Sequence, residues 1–230
     1  MLVGKRQRRR REMRNKGALI WLIASIFCLI SSSSLGASLT ITNPSDSILG
    51  YFGEGSAVAT IGQTFVVPNS QVPILDSVTL YLNPRDYEDA VDFAFYVYRW
   101  TGTKITGNSL FVSSQATASG SGGDFIPFTF NPNVNLQTGI NYIWFISASG
   151  YFDGLQGRAG LLVSGTDTYT GGRIAMADNK NDFGALMTNN WTLPPQNPGY
   201  VQDLAFTMTF VPEPATLLLL GLGAVIIKRK

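Results

Sequence analysis

Over residues 38–210 the apolar side chains come in short runs, and no stretch sustains the three-to-four-residue spacing that gives a helix one apolar face. Clusters of Gly, Asn, Pro and Ser separate the runs, and these residues interrupt helices and favour turns. A backbone patterned in this way must close its hydrogen bonds between strands. About ten strands are expected, the clearest over 57–67, 75–82, 91–99, 125–130, 140–147 and 204–211. In 75–82, Val78, Leu80 and Leu82 alternate with Ser77, Thr79 and Tyr81; in 204–211, Leu204, Phe206, Met208 and Phe210 alternate with Ala205, Thr207 and Thr209. Alternation of this kind buries one face of a strand. Residues 140–147 are apolar on both faces, as a central strand covered from each side would be.

The expected fold is therefore all-β, a two-sheet antiparallel sandwich with a jelly-roll winding. Thr101, Gly102, Thr103 and Lys104 suit a hairpin turn, while Pro84 and Pro132 stop strands because proline has no amide to donate. Residues 116–123, rich in Gly, Ser and Ala, read as a loop, and no internal repeat is visible. Trp100 and Trp144 are assigned to the sandwich, at a strand end and in the central strand.

The formal charge of +2 hides a strong asymmetry. Eight of the seventeen basic residues lie between Lys5 and Lys16, and Lys228, Arg229 and Lys230 add three more. The remaining body, residues 37–211, has six basic against thirteen acidic residues, a net charge of −7. An acidic body without a basic stripe is not a nucleic-acid partner, since phosphates require clustered Lys and Arg. The chain has no histidine, which excludes Ser-His-Asp, Cys-His and His-ligated zinc chemistry. Its one cysteine, Cys28, lies in the amino-terminal apolar run, so the body has no disulfide and relies on its apolar core.

The two ends differ in kind from the body. Residues 1–16 are basic, 17–30 form an uninterrupted apolar run, and Ser31–Ser34, Leu35, Gly36 and Ala37 follow: the order of a secretory signal peptide, expected over 1–37 with cleavage near Gly36 or Ala37. An uncleaved anchor is the alternative, although fourteen apolar residues fall short of the ~20 that span a bilayer. At the other end thirteen apolar residues, 215–227, precede Lys228, Arg229 and Lys230. Such a helix covers roughly 20 Å and crosses the inner membrane if the bilayer adapts. Basic flanks stay cytoplasmic, so both ends would lie in the cytoplasm and the body outside, transiently anchored.

Pro212, Glu213 and Pro214, a short apolar helix and a basic terminus, in that order behind an exported body, resemble the PEP-CTERM sorting signal of Gram-negative bacteria, here over 211–230. The resemblance implies an exosortase as processing partner, with Pro212, Glu213, Pro214, Lys228, Arg229 and Lys230 as the sorting motif, and delivery to the cell surface or extracellular matrix alongside exopolysaccharide. Gly62 to Phe65, Tyr96 to Trp100 and Leu136 to Tyr142 are also similar to sandwich bodies of exported PEP-CTERM proteins, which carry no assigned activity.

Within the body, 38–210, three groups are candidates for function. Asp86, Glu88, Asp89 and Asp92 are the densest acidic cluster and offer carboxylates for glycan hydrolysis or oxygens for Ca²⁺, against the plainer reading of a solvated turn. Asp178, Asn179, Lys180, Asn181 and Asp182 offer several oxygens, but Lys180 stands where a calcium loop needs an oxygen ligand. Tyr151, Trp191 and Tyr200, with Phe152, Tyr169 and Tyr87, lie in loop-like segments and are candidates to stack on sugar rings; core filling is the alternative. No cofactor or metal is expected. The reading favoured is a non-enzymatic structural or glycan-binding component associated with exopolysaccharide; a carboxylate-dependent glycan hydrolase or lyase is the alternative.

Overall fold

The computed structural model describes residues 37–45, 47–68, 72–84, 89–120, 123–164, 167–195 and 203–213. The chain divides into units Met1–Ala37 and Ser38–Lys230, and the fold below is that of the second. Helices expected at the two ends lie outside the described residues, among which no helix is long and apolar enough to cross a membrane.

Two antiparallel sheets make a sandwich, as the alternating runs predict. The first contains β1 (Leu39–Asn43), β14 (Phe206–Val211), β4 (Ile74–Pro84), β11 (Ala159–Ser164) and β13 (Asp203–Leu204), with β2 (Ser47–Phe52) on β11 and β8 (Ile126–Phe130) and β9 (Val134–Asn135) on β4. The second runs β12 (Ile174–Ala177), β3 (Thr60–Val66), β10 (Asn141–Ser147), β5 (Val91–Trp100) and β6 (Ile105–Val112), with β7 (Ala116–Ala118) on β5. One short helix, α1 (Ala185–Thr188), follows β12.

Alternation explains the packing. Val78, Leu80, Leu82, Phe206, Met208 and Phe210 point inward from the first sheet and meet Ile61, Phe65, Phe93, Phe95 and Trp144 of the second. Aromatic rings tie the layers together: Phe95 stacks on Phe130 at 4.5 Å, Trp144 meets Phe206 edge-on at 5.8 Å, and its indole N–H points to Met208 Sδ at 3.2 Å. Such contacts add about 0.5–1.5 kcal/mol each beyond the area they bury. On the opposite face of the first sheet Thr42, Thr207, Thr79 and Thr129 form one row across β1, β14, β4 and β8. Their hydroxyls pair across the strands, Thr79 with Thr129 at 2.8 Å.

β10 is central, between β3 and β5, and its second apolar face is covered as its composition requires. The cover is the segment 183–193, whose Phe183, Leu186, Trp191 and Leu193 pack on Tyr96, Tyr98, Trp100, Ile143 and Phe145. Trp191 stands edge-on to Trp100 at 5.5 Å and to Phe145 at 5.3 Å. Trp100 thus belongs to this outer layer, while Trp144 lies between the sheets.

Two local expectations are revised. Residues 116–118, read as loop, form β7 because Val91, Asp92 and Phe93 offer an open edge to pair with. The run 204–211 is divided at Ala205, where the chain passes from pairing with β11 to pairing with β4; the Ala205 amide still reaches the Leu162 carbonyl at 2.9 Å. The hairpin at Thr101–Lys104 forms as expected, closed by the Thr101 amide on the Lys104 carbonyl at 3.0 Å.

Candidate functional site

Three segments far apart in sequence converge at one end of the second sheet, where β5 begins and β10 ends. Glu54, Asp89, Asp92, Tyr151, Phe152 and Asp153 line a small depression there. Glycine at 157 permits the convergence: a Cβ at this position would lie 2.2 Å from the Ala90 carbonyl oxygen. The close approach lets Gly157 bridge Asp89 in parallel, while the Gly55 amide donates to the Gly157 carbonyl at 3.1 Å. Glu54 then closes the loop, accepting the amides of Asp153 at 2.9 Å and Gly154 at 3.1 Å. Asp92 accepts the Thr117 hydroxyl at 2.5 Å, and Asp153 accepts the Leu155 amide at 2.9 Å.

The depression unites two groups that the sequence kept apart, the acids Asp89 and Asp92 and the aromatic Tyr151. Tyr151 is half-buried on the outer apolar layer and hydrogen bonded to Tyr96. Burial pushes the Tyr96 hydroxyl up to about 12, with Tyr151 and Tyr98 adding to the rise. Phe152, also half-buried, packs on the inner core. What the site offers a ligand is one flank of two rings beside carboxylate oxygens, a set suited to hydroxyl groups. Glu54 and Asp92 are already engaged by protein donors, so they hold the loops in place.

Other expected contacts are placed elsewhere. Trp191 is corrected: it is only 5% exposed, and its indole N–H donates to the Leu186 carbonyl at 3.0 Å, so it has no free face for a sugar. Its burial follows from the need to cover β10. Tyr169 is likewise buried, edge-on to Phe206. Tyr200, Tyr87, Asp86 and Glu88 lie outside the described residues. Three side chains of the 178–182 loop serve the fold: Asn179 accepts the Thr60 hydroxyl at 2.8 Å, Asn181 accepts the Gly150 amide at 2.6 Å, and Asp182 accepts the Ala185 amide at 3.2 Å at the start of α1.

A buried polar tie between the sheets escaped the sequence reading. Gln63 points inward from β3, donates to Asp203 Oδ1 at 2.6 Å and accepts the Leu204 amide at 2.9 Å. Asp203 is fully buried, and its Oδ2 has no hydrogen-bond partner among the described residues. Loss of hydration pushes its carboxyl up to about 6; Asp167 adds to this, while Gln63, the Tyr169 amide and Arg173 oppose it. Only alternation along 61–65, with a Gln between Ile61 and Phe65, could have pointed to a polar residue in the core.

At one end of the first sheet, register places four segments side by side. Leu39 pairs with Phe210, Val211 with Ile74, and Ile74 with Asn135. The body's first strand therefore begins beside its last strand's end. Val211 remains in the sheet, and two residues later Glu213 accepts the Asn135 side-chain amide at 2.5 Å.

The last strand of the sandwich runs without a linker into the exposed Glu213. Residues 210–230 match the PEP-CTERM protein-sorting motif, so the chain carries that motif, and an exosortase follows as its processing partner. The motif implies export and membrane-anchored sorting before processing. Pro214, Lys228, Arg229 and Lys230 complete the motif outside the described residues. No curated protein and no solved structure matches the chain.

Proposed function

We propose that this exported, exosortase-sorted protein is a non-enzymatic component of the cell surface or extracellular matrix, and that its sandwich contacts exopolysaccharide through the depression at Tyr151 and Phe152. The observation that carries the reading is the meeting of two partly exposed rings with the carboxylates of Asp89 and Asp153 in one site, beside the loop-holding Glu54 and Asp92. Sugar recognition uses this combination, a ring face for the pyranose and carboxylates for the hydroxyls. The engagement of Glu54 and Asp92 in loop-holding hydrogen bonds supports binding over acid–base work.

Affinity electrophoresis of the secreted protein in gels containing the producer's polysaccharide tests this. Retardation that is lost in Tyr151→Ala and Phe152→Ala is expected. No retardation of the natural protein would remove the binding role and leave a structural one. Release of new reducing ends, abolished by Asp89→Asn, would replace both with a hydrolase.

A further inference from the structure

We propose that Asn135 is a latch that holds the sorting motif against the folded body, and that the exosortase must displace it to engage Glu213. The inference rests on the reading of this tail as an exosortase substrate. The register leaves almost no slack: Val211 is paired with Ile74, and a single residue, Pro212, separates it from Glu213. Proline at 212 and 214 favours extended backbone at the residues before them, so the chain continues straight out of β14. The Glu213 side chain then reaches past the start of β4 to Asn135 on the far neighbouring strand, β9.

The chemistry of the triplet gives this contact its weight. Pro212 and Pro214 have no amide hydrogen, so Glu213 carries the only N–H and the only charge of the three. A reader of this segment has the Glu213 carboxylate as its one ionic handle. Asn135 occupies Oε1 of that carboxylate. The enzyme therefore competes with Asn135 for Glu213, and the latch sets the fraction of chains whose motif is free.

Full-length chains carrying Asn135→Ala, Asn135→Asp or Asn135→Gln, followed by pulse-chase and immunoblotting in cells with and without an exosortase, test the latch. Asn135 is exposed, so its replacement leaves the core intact. A charge-assisted hydrogen bond at the surface sets the scale: Asn135→Ala should speed conversion of precursor to processed form about two- to ten-fold. Asn135→Asp, which also repels Glu213, should be at least as fast, and Asn135→Gln, which keeps the amide donor, should stay closer to the natural rate. Equal thermal melting of the secreted forms excludes body unfolding as the cause of faster conversion. Conversion that is unchanged or slower in both Asn135→Ala and Asn135→Asp overturns the latch. If the natural chain is not converted even with the exosortase present, the processing reading itself fails.

Discussion

Asp203→Asn should flatten the pH dependence of stability. In the folded protein the buried Asp203 carboxyl titrates at about 6, raised chiefly by loss of hydration from its ordinary 3.8. The folded state thus binds the proton more tightly than the unfolded chain. Stability from this group is fully present below about 3.8, falls as pH rises toward 6, and levels off above. At 1.36 kcal/mol for each tenfold change in proton affinity, the full loss is about 3 kcal/mol. Asparagine keeps an oxygen to accept the Gln63 amide but cannot ionise, so the variant omits that loss. Urea unfolding followed by tryptophan fluorescence, from about pH 4 to about pH 8, reads the difference. Because the unfolded carboxyl is already largely ionised at about pH 4, the natural protein should lose about 2 kcal/mol more than the variant between these limits. Parallel curves for the two proteins would refute the reasoning, because they would mean that Asp203 ionises in the fold at no cost.

Three further outcomes follow from the packing and the tail. Gly62→Ala should destabilise by more than about 2 kcal/mol in the same unfolding assay, since its Cβ would lie 2.3 Å from the Trp144 carbonyl oxygen and 2.5 Å from Phe145 Cβ. Trp191→Ala should cost about 3–5 kcal/mol by uncovering the outer face of the second sheet, and calorimetry should register a correspondingly lower Tm. Deletion of Pro212, Glu213 and Pro214 should leave precursor that an exosortase does not process, seen as a single immunoblot band in cells that convert the natural chain.

Strand positions were legible wherever alternation was strong. The 75–82 and 204–211 runs name their inward residues correctly because solvent on one side and core on the other impose a period of two. The doubly apolar 140–147 segment likewise announced a central strand, but nothing local said what would cover its outer face. That cover is a segment some forty residues away, 183–193, and it takes Trp191 out of the set of sugar-stacking candidates. Loop position alone does not distinguish an aromatic that faces solvent from one that folds back over a sheet. β7 was hidden for a related reason: Ala116, Thr117 and Ala118 have weak strand character, and the open edge of β5 supplies the pairing.

What the sequence alone determined is the class of fold, the acidity of the body and the sorting tail. Each rests on local order: a period of two, a count of charges, and a triplet followed by an apolar run and basic residues. Tertiary structure decided which distant residues meet. It brought Tyr151 and Phe152 to the acids at 89 and 92, joined Gln63 to Asp203 across the core, and set Asn135 beside Glu213. The physical reason is that strand register and sheet order fix these contacts through hydrogen bonds between segments, and no local pattern encodes which segments pair.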